Sequence, residues 1–316
     1  MKTISALEHD LILDARSEGL TSLPPAILEK DILITDVLNT INSLEEPLVD
    51  FVFCGGTSLS KGYRLIERMS EDIDYKLVVS ESMPKSQRGS FLSELKYRVI
   101  SVVEESGFVV PNSDIIANDK NHYVSLNLQY QSRFSAVASL RPEIKLEFSA
   151  RAPLLKTQLA SIGTLLDDVI ERQSNQIQVK CVSIEETLAE KVLSFLRRTA
   201  EERAGRGRDA YDERLIRHVY DVCSIVSKHD QLSLPLEYFR QMVAADGNRF
   251  RNRHPEFDDD PVKEMESALK ALHDDPMFDR FYERFVGDLM FGTKLSFEDA
   301  RAVFSDCASR LIKSLG

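Results

Sequence analysis

Between residues 48 and 76 the chain changes its mode of folding twice within one short span, and few architectures accommodate that. An apolar run at residues 48–54 reads as a buried strand, Gly55-Gly56 breaks it, and a short helix follows. A second strand then emerges, in which Asp72 and Asp74 alternate with Ile73 and Tyr75. A period of two sends both carboxylates to one face of that strand and both apolar side chains to the other. The glycine pair lets the backbone approach a ligand closely, and the Thr57 and Ser58 hydroxyls and free N–H groups sit where a helix begins, so the turn reads as a phosphate cradle. Two oxygen donors at the spacing of Asp72 and Asp74 suit Mg²⁺, or Mn²⁺, held by one or two carboxylates together with substrate phosphates. Gly-Gly alone is a common turn and Asp-x-Asp alone a common solvated edge; the order of the parts carries more information than either.

That order is buried strand, Gly55-Gly56-Thr57-Ser58, basic Arg64 and Arg68, then Ser70-Glu71-Asp72-Ile73-Asp74. It resembles the DNA polymerase β-like nucleotidyltransferases. The wording from Gly55 to Lys61 and from Arg68 to Asp74 is similar to the AbiEii-type toxins of bacterial type IV toxin–antitoxin systems. With one earlier and three later segments, the resemblance covers roughly residues 23–226. It implies an NTP substrate contacted by Gly55, Gly56, Thr57, Ser58, Lys61, Arg68, Ser70 and Lys145. It also implies a cognate antitoxin, an RNA acceptor with tRNA expected, and a role in phage defence.

The chain has 316 residues, 43% hydrophobic and 29% charged, which is ordinary globular composition and enough for about two domains. Cys54, Cys181, Cys223 and Cys307 are widely scattered with no C-x-x-C spacing, so they read as reduced thiols and not as a zinc site or disulfide frame. No stretch reads as a signal peptide or membrane span, and a cytoplasmic monomer is expected. With 51 acidic against 40 basic residues the net charge is −11, which argues against general nucleic-acid coating. Basic residues nevertheless crowd one region, Arg197, Arg198, Arg203, Arg206, Arg208, Arg214 and Arg217, while Asp258, Asp259, Asp260, Asp274 and Asp275 lie beyond it. That region reads either as an RNA or nucleotide surface or as a solvated helix face paired with Glu201, Glu202 and Glu213.

Taken in order, residues 4–18 predict a first helix. Ser22-Leu23-Pro24-Pro25 opens a second, with Ser22 near its cap, running to residue 43. Its Glu29-Lys30-Asp31 reads as a solvated face, though a similar segment precedes the core in the resembled family. A polar loop is expected at 79–90, a helix at 91–105 ending at Gly107, and strands at 108–116, 123–130 and 144–148. In the last of these Lys145 and Glu147 share a face. If that strand lies beside the Asp72 strand, Glu147 supplies a third carboxylate, either as ligand of a second metal ion or as the base on an attacking hydroxyl; otherwise it is an exposed edge with an ion pair. The resembled family has Lys-x-acid here, followed by a basic residue like Arg151.

Residues 154–182 read as a connection with a helix and a short strand at 177–182. Ser183-Ile184-Glu185-Glu186 opens the next helix as a capping box. On that helix Lys191 falls inside the stripe of Ile184, Leu188, Val192 and Phe195 at about 100° per residue. Three readings stay open: a snorkelling stem, a charge over nucleotide phosphates, and an ion pair with Asp221. The resemblance favours the second, through Glu190-Lys191, and through Arg217-His218-Val219-Tyr220-Asp221 it counts Asp221 as an active-site residue. His218 reads mainly as structural, and Tyr220 as a packing or base-stacking residue. Helices are expected at 234–244, 261–273, 276–290 and 296–313, with no chemistry of their own.

The expected fold is α+β, a small mixed-sheet nucleotidyltransferase core with flanking helices (1–181) and a helical C-terminal domain (182–316) that completes the cleft. The expected reaction moves a nucleoside monophosphate from an NTP to an acceptor hydroxyl. Asp72, Asp74 and Glu147 would be the metal ligands, and Asp72, Asp74, Glu147, Lys191 and Asp221 the catalytic set. A nucleotide-binding regulatory module without turnover and transfer to a protein hydroxyl, including Ser70, are the alternatives.

Overall fold

The computed structural model describes all residues except 136, 138–139, 174–175, 208–210, 230–231 and 293, and describes 288 and 289 by backbone alone. The chain forms two compact units: Met1–Arg64 with Met69–Val182, and Leu65–Arg68 with Ser183–Gly316.

The first unit begins with α1 (Ala6–Ser17) and α2 (Pro25–Asn42). Ser22 does not cap α2: Pro24 is the N-cap and Pro25 the first helical residue, where a missing N–H costs nothing. Next come β1 (Val49–Cys54), a single helical turn α3 (Gly55–Thr57) that continues as the wider turn Ser58–Gly62, and β2 (Asp72–Val79). Helix α4 (Lys85–Glu105) starts inside the polar stretch expected to be loop; those polar residues form its solvent-facing first turns, which leave no apolar period to read. Beyond it are β3 (Ile115–Asn118), β4 (Tyr123–Gln129), β5 (Glu143–Ser149), β6 (Gln158–Ile162), α5 (Leu165–Val169) and β7 (Ile177–Cys181). The expected strand at 108–116 is reduced to a bridge between Val109 and Gln129 followed by a turn at Asn112–Asp114, because Pro111 has no N–H to continue a ladder. β6, short and exposed at Gln158 and Leu159, has no sequence signal of its own.

The seven strands form one mixed sheet in the order β3-β4-β5-β2-β1-β7-β6, with β2 parallel to β5, β1 parallel to β7, and the other neighbours antiparallel. This is the expected α+β class with a mixed sheet. One sheet face is built from the alternating apolar positions Ile73, Tyr75, Leu146 and Phe148, all buried. Tyr75 stacks on Phe148 at 5.8 Å between ring centroids and meets Phe53 at 5.6 Å. Each such side chain contributes roughly 1.5–3 kcal/mol by leaving water, so a slip of one residue, which would turn this face outward, is strongly disfavoured. The position of Asp72 and Asp74 on the opposite face therefore follows from the packing of their neighbours.

The second unit is helical: α6 (Ile184–Arg203), α7 (Arg217–Lys228), α8 (Leu236–Phe250), α9 (Pro255–Asp259), α10 (Pro261–Asp274), α11 (Met277–Leu289) and α12 (Phe297–Lys313). Ser183 caps α6 by accepting from Glu186 N–H at 3.2 Å, and Ser296 caps α12 from Asp299 N–H at 3.1 Å. Phe195 of α6 packs on Phe304 of α12 and Phe278 of α11. The four cysteines are buried thiols, and burial raises that of Cys181 to about 12. Among the described residues no helix is long and apolar enough to cross a membrane.

Candidate functional site

In the first unit the site is built where β1 ends. Cys54 lies opposite Asp74 in the antiparallel β1–β2 register, and the chain then turns at Gly55 with φ +79°, a conformation open to glycine and costly for other residues. A Cβ on Gly55 would run into the Asp74 carboxylate. Gly55 and Gly56 remain half-buried, but the side chains after them have internal partners. Thr57 Oγ1 is in hydrogen-bond contact with the Asp72 carbonyl and, at 2.9 Å, with Ser70 Oγ. Ser58, fully buried, donates its hydroxyl to the Gly55 carbonyl at 2.9 Å. Lys61 Nζ pairs with Asp31 Oδ1 at 2.6 Å, also buried. Thr57, Ser58 and Lys61, expected to meet a triphosphate, here brace the turn and the start of β2, while the backbone of Gly55 and Gly56 stays half-buried.

β2 and β5 run parallel with Asp74 opposite Glu147 and Asp72 opposite Lys145, so the three carboxylates expected to converge do lie on neighbouring strands. Each has a contact. Arg141 Nη1 reaches Asp72 Oδ1 at 2.7 Å. Lys145 Nζ lies 3.0 Å from Glu147 Oε1, to which the Tyr123 hydroxyl on β4 also donates. Asp74 is held well above the usual carboxylate range, first by burial and then by the charges of Glu147 and Asp72, with Lys145 pulling the other way. A carboxyl group whose ionised form is disfavoured by burial and by negative neighbours is one that a cation would relieve. Among the described residues no three His, Cys, Asp or Glu side chains are arranged as a ready-made metal group. The oxygen donors of Asp72 and Asp74 nevertheless fit a hard divalent ion that takes its remaining ligands from phosphate and water.

Sequence reasoning missed the residues behind this face. Glu29, Lys30 and Asp31, read as solvated, are 1%, 0% and 3% exposed. Lys30 Nζ donates to Glu71 Oε1 and to the Arg141 carbonyl, each at 2.7 Å. Asp31 accepts from Lys61 and from Leu165 N–H at 2.6 Å, and Glu29 accepts from Arg133 N–H at 2.7 Å and from the Ser132 hydroxyl. The signal was present: Ile27-Leu28 and Ile32-Leu33-Ile34 flank the charges and place apolar residues all round the helix, which marks a buried helix. Arg141 and Tyr123 had no signal.

In the second unit, taken by itself, Arg68, Lys191 and Asp221 form one cluster. Asp221 is fully buried and accepts from Arg68 Nε and Nη2 at 2.7 and 2.8 Å and from Lys191 Nζ at 2.6 Å. Burial alone would raise the Asp221 carboxyl, but the guanidinium and ammonium outweigh it and hold the group well below its ordinary range. The inward Lys191 is thus explained first by an ion pair, and Arg68, expected on the nucleotide, grips Asp221 bidentately. His218 Nδ1 is buried without a hydrogen-bond partner among the described residues, and burial, then the Lys191 charge, keep the imidazole neutral. Tyr220 packs edge-on to Phe285, and its hydroxyl accepts from Glu67 N–H at 3.3 Å, which favours packing over base stacking.

The basic region at 197–217 is largely neutralised within the same unit. Arg197 is buried with Glu201 and Asp246, while Arg198 pairs with Asp212, Arg203 with Asp275 and Arg206 with Glu256. The acidic residues that follow it in sequence fold back onto it, so it does not stand as a bare cationic surface; Arg208 lies outside the described residues.

A comparison with solved structures finds a similar chain in MenT4, a nucleotidyltransferase toxin from Mycobacterium tuberculosis H37Rv. The TM-score is 0.52 at 15% identity, over 96% of this chain and 89% of that one, a likeness of fold. No curated protein matches the sequence. The family model of the nucleotidyl transferase AbiEii toxin of type IV toxin–antitoxin systems matches residues 36–303. It begins after Glu29-Lys30-Asp31 and takes in most of the C-terminal helices that had carried no motif. Extending from within α2 to within α12, that match establishes that the chain belongs to the AbiEii family of nucleotidyltransferase toxins.

Proposed function

We propose that this nucleotidyltransferase moves a nucleoside monophosphate from an NTP to a hydroxyl of RNA, with tRNA as the acceptor, and that its growth-inhibiting activity serves phage defence under control of a cognate antitoxin. The observation that carries the reading is the register of β2 on β5, which sets Asp74 across from Glu147 and packs the Asp74 carboxylate against the half-buried Gly55. Asp72 and Asp74 would hold Mg²⁺ or Mn²⁺, which when bound neutralises phosphate charge. The acceptor oxygen attacks the α-phosphorus, the bond from that phosphorus to the bridging oxygen of the pyrophosphate breaks, and pyrophosphate leaves with the electron pair. The proton of the attacking hydroxyl passes to Glu147, which lies across from Asp74 and is oriented by Tyr123 and Lys145. The backbone of Gly55 and Gly56 is assigned to the triphosphate.

Lys191 and Asp221 are assigned to the reaction on the strength of Glu190-Lys191 and Arg217-His218-Val219-Tyr220-Asp221, which resemble family segments. The test is to incubate purified protein with each α-labelled NTP, Mg²⁺ and total RNA, and to separate RNA from protein. Label in a tRNA band supports the proposal, label only on protein identifies a protein hydroxyl as acceptor, and no label with any NTP overturns it.

A further inference from the structure

Arg141 is gripped by its main chain from both sides: its N–H donates to Glu71 Oε1 at 2.8 Å and its carbonyl accepts from Lys30 Nζ at 2.7 Å. Lys30 and Glu71 also pair with each other at 2.7 Å, with side chains 0% and 3% exposed. A buried ion pair contributes little net stability compared with apolar side chains of similar volume, so two buried charges here are poorly explained as a stabilising device. What they do is hold one peptide position. Glu29, on the same turn of α2, accepts from Arg133 N–H and the Ser132 hydroxyl. Ser132 and Arg133 on the one hand and Arg141 on the other are thus each tied to one helical turn, and the Arg141 guanidinium lies 2.7 Å from Asp72 Oδ1. That outer pair is different in kind: the two side chains are 27% and 35% exposed, so a fixed backbone carries a side chain able to turn at the surface.

We propose that Arg141 binds the phosphates of the nucleotide and, in the absence of a divalent cation, guards the Asp72 carboxylate. The inference rests on the reading of Asp72 and Asp74 as cation ligands. A cation and a guanidinium cannot share the same carboxylate oxygen without strong repulsion, so a divalent ion that takes Asp72 Oδ1 displaces Arg141. The phosphate oxygens that accompany the ion then lie within reach of the displaced side chain, and a planar guanidinium matches them in a way that a carboxamide cannot. Arg141 thereby couples cation binding to nucleotide binding, and Lys30 and Glu71 are its positioning residues.

The experiment compares wild type with Arg141→Gln and Arg141→Lys, each first shown to keep its melting temperature. Mn²⁺ affinity is measured alone by electron paramagnetic resonance. Affinity for the α,β-methylene analogue of each of the four NTPs is then measured at saturating Mn²⁺. Arg141→Gln is expected to bind Mn²⁺ alone several-fold more tightly, since its competitor is gone, yet to bind the preferred analogue at least about tenfold more weakly, since a charged hydrogen bond is lost. Arg141→Lys should keep the competition with Mn²⁺ and regain part of the analogue affinity. Unchanged or weaker Mn²⁺ binding in Arg141→Gln, or unchanged analogue binding, overturns the inference while leaving the cation site standing. A wild-type protein that binds no Mn²⁺ removes the cation site and the inference with it.

Discussion

Asp74 stands directly across from Glu147 on the parallel strands β2 and β5, and its carboxyl is kept well above the ordinary range by burial, by Glu147 and by Asp72. The arrangement is electrostatically uncomfortable without a cation, which makes it a functional feature more readily than a structural one.

Asp74→Asn should therefore leave the apo protein at least as stable as wild type while lowering nucleotide transfer by about a hundredfold or more. Asp72→Asn should lower transfer as strongly. Thermal melting alongside transfer assays checks both, and near-normal activity in either variant would remove the carboxylate pair from the reaction.

The cluster in the second unit predicts a loss of stability instead. Asp221 has no solvent exposure and three donated hydrogen bonds from two cations, so Asp221→Ala leaves Arg68 and Lys191 buried without their anion and should cost about 3–5 kcal/mol in denaturant unfolding. Lys191→Met, which would be neutral or stabilising if the ammonium had no partner, should destabilise by about 1–3 kcal/mol, because Asp221 keeps Arg68 but loses a charged hydrogen bond. A Lys191→Met protein as stable as wild type would show that the ion pair contributes nothing.

The same carboxyl group sets a pH dependence. Its folded value is depressed, so its contribution to stability is fully present above the unfolded value of about 3.9 and is lost as the pH falls toward the lower folded value. The stability gap between wild type and Asp221→Asn should be constant from neutral pH down to about 5 and should narrow below about 4. Urea midpoints across that range measure it, and a gap that widens on acidification contradicts the assignment.

Gly55 and Gly19 both have positive φ, +79° and +72°, but only at Gly55 would a Cβ meet another group. Gly19→Ala should cost only the backbone strain, about 1–2 kcal/mol. Gly55→Ala should cost more and also weaken Mn²⁺ binding, since it pushes the Asp74 carboxylate aside. Equal costs for the two substitutions, with Mn²⁺ affinity intact, would show that the contact has no consequence.

Much of the nucleotidyltransferase face was legible because it depends on local periodicity. The alternation of Asp72-Ile73-Asp74-Tyr75 and of Lys145-Leu146-Glu147-Phe148 determines which side chains share a face, and burial of the apolar set then assigns the polar set to the other side. Lys191 was recognised as inward for the same reason, by its angle on α6. Where periodicity was absent the reading failed: the polar first turns of α4 looked like loop, and β6 gave no signal.

By itself, then, the sequence determined the order of strand, glycine turn and acidic strand, the face of each strand that carries charge, and the family to which these motifs point. Only the tertiary structure decided which charges meet. Lys30 finds Glu71 across 41 residues, Arg141 finds Asp72 across 69, and Arg68 finds Asp221 across 153. A charged side chain is read by default as solvated, and it becomes a buried partner only when chain segments far apart in sequence bring an opposite charge to it and exclude water from both. Periodicity reports the direction of a side chain from its own element; the identity of what waits there is set by packing between elements, which no local pattern encodes.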